Sequence, residues 1–132
     1  MASDREIIKK TLENHREDIK KIVEEFSPEE MDIVEPLLEN ILSNIDDFIE
    51  KRDNILAGDK ALGFFGGGLL TLVLVAIITE FAKSTASFLT KAGLQKLKKV
   101  AKRLFKKSNV DIDEKSKEEI IERLVEVIAE RY

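Results

Sequence analysis

Residues 61–79 read ALGFFGGGLLTLVLVAIIT, nineteen positions without an ionisable side chain in a 132-residue chain that is 36% charged. As a single helix this stretch would be roughly 29 Å long, about the thickness of a bilayer's hydrocarbon core. Residues 83–107 follow with nine Lys or Arg and no Asp or Glu. An apolar run followed by a purely basic segment admits two all-α architectures. In the first, the run inserts into a membrane. In the second, it is the central helix of a bundle, apolar all round because it is wrapped all round.

The residues that would enter lipid are Leu62, Phe64, Phe65, Leu69, Leu70, Leu72, Val73, Leu74, Val75, Ile77 and Ile78. On an insertion scale they contribute about −5 kcal/mol together, and the glycines and threonines return about half of it. Gly63 and Gly67 form a GxxxG spacing that Thr71 continues. In lipid, such a stripe lets helix backbones approach and associate, which predicts a homo-oligomer. In water, each glycine inside a helix costs about 1 kcal/mol relative to Ala. The competing local reading makes Gly66-Gly67-Gly68 a loop, starts the helix at Leu69, and leaves a run too short to span.

The basic segment, residues 85–107, is amphipathic. Leu89, Gly93, Leu97, Val100, Ala101, Leu104 and Phe105 share one face. Lys91, Lys96, Lys98, Lys99, Lys102, Arg103, Lys106 and Lys107 occupy the rest. Such a helix lies naturally at an anionic lipid surface, where each cation contributes about 1 kcal/mol. The eight cations are therefore the expected headgroup contacts. A solvated surface, or pairing with the acidic N-terminal half, would account for them equally. Nucleic acid is disfavoured by the acidic remainder and by the absence of Trp.

Residues 1–58 read as an acidic helical hairpin. Ile8, Leu12, His15, Ile19, Ile22 and Phe26 mark one narrow seam, and Met31, Val34, Leu38, Ile41, Ile45, Phe48, Arg52 and Ile55 a second. One helix is expected over residues 4–26 and another over 28–56, with Pro36 kinking or restarting the second. Ser3 with Glu6, Ser27 with Glu30 and Ser116 with Glu119 each fit a capping box. His15 is expected as a core or inter-helix hydrogen-bonding residue whose protonation would loosen the hairpin. The remaining elements are an apolar helix over residues 60–83 and a C-terminal helix over 113–132. The total is about five helices in a single domain, 1–132.

Composition narrows the function classes. There is no Cys and one His, and no phosphate-binding Gly loop precedes a Lys-Ser or Lys-Thr. No catalytic, cofactor-binding or metal-ligating residue is expected. The first residues, MASDREIIKK, are not a secretory signal. The expected function is a non-enzymatic, membrane-acting protein that inserts its apolar helix, oligomerises and opens a pore. Its location would be the membrane, entered from a soluble cytoplasmic form, with the basic segment on the cytoplasmic side. The competing expectation is a soluble helical adaptor that buries 61–79 as its core helix and binds a protein partner through the N-terminal hairpin.

Overall fold

The computed structural model describes residues 4–58, 69–83 and 90–131. Among them are seven α-helices, one short 3₁₀ turn and no strand. The helices are α1 (Asp4–Asn14), α2 (Arg16–Phe26), α3 (Met31–Ser43), α4 (Ile45–Leu56), α5 (Leu70–Ala82), α6 (Lys91–Lys107) and α7 (Glu114–Arg131). The 3₁₀ turn, Pro28–Glu30, joins α2 to α3.

The all-α class holds, but the expected count of five rises to seven because each long N-terminal helix is interrupted once. The interruptions are His15 (φ −107°, ψ 13°) and Asn44 (φ −128°, ψ 41°). Their backbone N–H groups reach back to the preceding turn, His15 to Thr11 and Leu12, and Asn44 to Asn40 and Ile41. The Asn44 side-chain amide also donates to the Asn40 carbonyl, so a polar side chain stabilises the break locally. Pro36 lies inside α3 without ending it. The carbonyl its missing N–H would have met belongs to Asp32, an exposed residue in the first turn of α3.

Both apolar seams are used internally. Ile8, Leu12, Ile19, Ile22, Val34, Leu38, Ile41, Ile45, Phe48 and Ile55 are all buried. α2 packs on α3 and α1 on α4, the contact order of an antiparallel hairpin. Ion pairs cross the same boundary: Arg16 to Glu39 at 2.7 Å, Arg5 to Asp46 at 3.1 Å, and Lys20 to Glu35. Lys20 holds the Glu35 carboxyl below its ordinary range, and Glu35 in turn raises Lys20.

α5 is the centre of the fold. Its most extensive contacts are with α6 and α1, and α2 and α4 close the remaining sides. α7 lies over α2 and α6. The Ala57-Gly58 turn after α4 needs glycine. Gly58 has φ +97°, and a Cβ there would stand 2.5 Å from the Asn109 side chain.

The candidate site: the apolar helix and its basic cover

The helix expected over residues 60–83 begins, among the described residues, at Leu70, and Leu69 before it is extended. Thirteen residues make a helix of about 20 Å. No described helix is long and apolar enough to cross a membrane. A membrane-length helix is thus not confirmed, and the described part of the apolar run is a shorter helix that starts at Leu70. Leu62, Gly63, Phe64, Phe65 and Gly67 lie outside the described residues. So do Ser3 and Leu89.

What α5 lacks is a polar face. No residue from 70 to 79 is more than 1% exposed. Leu70, Leu72, Val73, Leu74, Val75, Ile77 and Ile78 are all core residues, and Leu69 is half-buried. Two hydroxyls are buried with them. Thr79 donates to the carbonyl of Val75 at 2.9 Å within its own helix. Thr71 donates to Glu30 at 2.8 Å, so the one described residue of the stripe expected for self-association is here committed to an intramolecular bond.

Glu30 closes the N-terminal end of α5. Leu69 precedes the helix and its side chain offers no acceptor, so the first N–H groups of α5 need acceptors from elsewhere. The Glu30 carboxylate supplies them, accepting from Leu70 N–H and Thr71 N–H, both at 2.9 Å. A negative charge at this position also complements the helix dipole. Ser27 Oγ lies 2.7 Å from the same carboxylate and 2.8 Å from Glu29. The expected local capping box at Ser27 and Glu30 is therefore replaced by a tertiary cap. The pairing expected between Ser116 and Glu119 is likewise replaced, because Asp113 accepts from Ser116 N–H at 2.7 Å and heads α7.

Glu80 secures the other end. It meets Arg52 of α4, and Arg103 of α6 at 3.1 Å. Arg52, which interrupts the apolar seam of α4, thus reaches the one acidic residue of α5. The buried His15 and Asp18 pair at 2.8 Å, with Nδ1 donating to the carboxylate, where α1 bends into α2.

α6 is the cover. Gly93, Leu97, Val100, Ala101, Leu104 and Phe105 are buried, as the amphipathic reading expects. The eight cations divide into two groups. Lys98 pairs with Glu122 of α7 at 3.1 Å, Arg103 with Glu80 of α5, and Lys107 with Asp53 of α4 at 3.2 Å. Lys91, Lys96, Lys99, Lys102 and Lys106 are exposed, and no ion pair involves them among the described residues. Lys96, Lys99 and Arg103 share a hollow of about 570 Å³ with Ala92, Gln95 and Val100.

Sequence reasoning missed Glu30, Glu80 and Asp18. Glu30 carried a local capping signal that pointed to the wrong partner, while Glu80 and Asp18 carried none. Among the described residues no group of three or more His, Cys, Asp or Glu is placed to hold a metal ion. No family model, curated protein or solved structure matches this chain.

Proposed function

We propose that this is a non-enzymatic, membrane-acting helical protein that keeps α5 enclosed until it meets a bilayer, then inserts it and oligomerises, opening a pore. The observation that carries the reading is the pairing of α5, which has no polar face from 70 to 79, with α6, which covers it and turns lysines outward. A bundle core needs one apolar stripe per helix; a helix apolar on every side also suits lipid. The glycine-rich residues 63–68 would extend the inserted element and, with Thr71, form its packing face once Glu30 lets go. α6 would remain at anionic headgroups on the cytoplasmic side.

The experiment is dye release from vesicles with and without anionic lipid, combined with a lipid-borne photolabel mapped along the chain. Release that needs anionic lipid, with label on residues 69–79, is expected. Intact vesicles and an unlabelled chain would overturn the reading. Val75→Arg is a poor probe, because Val75 is fully buried and the variant would fail to fold before it failed to insert.

A second reading has its own support. A thirteen-residue α5 suits the core of a soluble helical interaction domain better than a bilayer. Both hairpin seams are filled, so a protein partner would meet the polar outer faces of α1 to α4.

A further inference from the structure

We propose that the closed bundle docks on an anionic bilayer through a single row of α6, namely Lys91, Gln95, Lys99, Lys102 and Lys106, while α5 is still enclosed. This rests on the membrane reading above and separates its docking step from its insertion step. The 4-4-3-4 spacing puts these five residues on one helical face, opposite buried Leu97, Ala101 and Leu104. Fifteen residues separate its ends, a row of about 22 Å. All five are exposed, and none of the four lysines takes part in an ion pair among the described residues. The flanking Lys98, Arg103 and Lys107 are the cations that tie α6 to α7, α5 and α4. Retention of the bundle and contact with the outside are thus assigned to different side chains.

Charge fixes the orientation. α6 carries eight cations and no acid in a chain of net charge −4, so the remainder carries −12. An anionic surface attracts one face of the molecule and repels the others. The apolar side of α6 is already spent on the core, and the exposed large hydrophobic residue of the described surface is Ile7 on α1. The closed form cannot sink an apolar face into lipid as a free amphipathic helix does, so it is held by charge alone. The row bears no aromatic ring, so it offers no platform on which nucleotide bases could stack. Flexible lysine stems suit a fluid array of headgroups.

The test is flotation of the full chain with vesicles of zwitterionic lipid, with or without phosphatidylserine, at low and high salt. Wild type should bind only the anionic vesicles and lose binding as salt rises. The triple variant Lys99→Gln/Lys102→Gln/Lys106→Gln should partition about a hundredfold less, since each cation contributes about fivefold. Its melting temperature should be unchanged, and the triple Lys→Arg variant should bind like wild type. Equal binding to neutral vesicles, wild-type binding by the Gln variant, or displacement of the protein from vesicles by duplex DNA at equal phosphate would overturn the proposal. Self-association without lipid that the Gln variant abolishes would also overturn it, assigning the row to the acidic half of a second copy. Binding without dye release keeps the docking step and removes the insertion reading. Dye release by the Gln variant at the wild-type rate removes the docking step and keeps insertion.

Discussion

Glu30 lies forty positions before the backbone it caps. Besides the Ser27 hydroxyl, it satisfies three buried donors of α5, two amides and the Thr71 hydroxyl. Glu30→Ala leaves all three without their acceptor, and each orphaned donor costs about 1–3 kcal/mol, so a loss on the order of 3 kcal/mol or more is expected in chemical denaturation. Glu30→Gln keeps one carbonyl oxygen but turns an amide donor toward donors, and should fall between wild type and Glu30→Ala. Equal stability of all three proteins would show that α5 does not depend on this cap. The sequence signalled a helix-start function at this position through Ser27 and Glu30. It could not signal the partner, because a three-residue spacing reports only on neighbours along the chain. Arg52 teaches the same lesson. A cation in an apolar seam was legible as an anomaly, and only the fold brought it to Glu80.

Among the elements, the buried faces were legible where the pattern had a period, while the residues at which helices start or break were not. α6 has the buried face its pattern predicted, and α5 is buried on every side because its pattern had no polar period. The breaks at His15 and Asn44 were not legible. Neither residue is Gly or Pro, and the seams run through both positions without losing register. α7 is headed by Asp113, three residues before the expected Ser116, and starts at Glu114. This cap carries a pH dependence. The Ser116 N–H holds the Asp113 carboxyl below its ordinary value. Its contribution is therefore complete above the unfolded carboxylate value, about 3.9, and is lost as pH falls through the lower folded value. Amide exchange at Ser116 should lose protection over that acid window in wild type. In Asp113→Asn the amide oxygen accepts the same bond without ionising, so that part of the acid fraying should disappear. Identical acid profiles for the two proteins would overturn the assignment.

At the scale of the whole molecule, the order of acidic arm, apolar span, basic segment and acidic tail was readable from charge and hydropathy alone. What the order could not show is that the arm and the cover meet around the core. The seams were as consistent with open binding surfaces as with a closed bundle. With both seams filled and Ile7 the exposed large hydrophobic residue of the described surface, the protein should behave without detergent as a monomer of 15.0 kDa. Light scattering coupled to gel filtration checks this. A stable oligomer without lipid would mean that copies associate before any membrane step.

The enclosure of α5 on every side also bears on how the sequence can drift. A helix with a solvent face accepts polar replacements every three or four positions, and in α6 those are the positions of the outer lysines. From 70 to 79 there is no such relief, so tolerance to polar replacement should be uniformly low along α5, with no helical rhythm. In an evolving lineage this stretch would vary by exchange among Leu, Ile and Val alone, while the faces of α6 and α7 recorded most of its history.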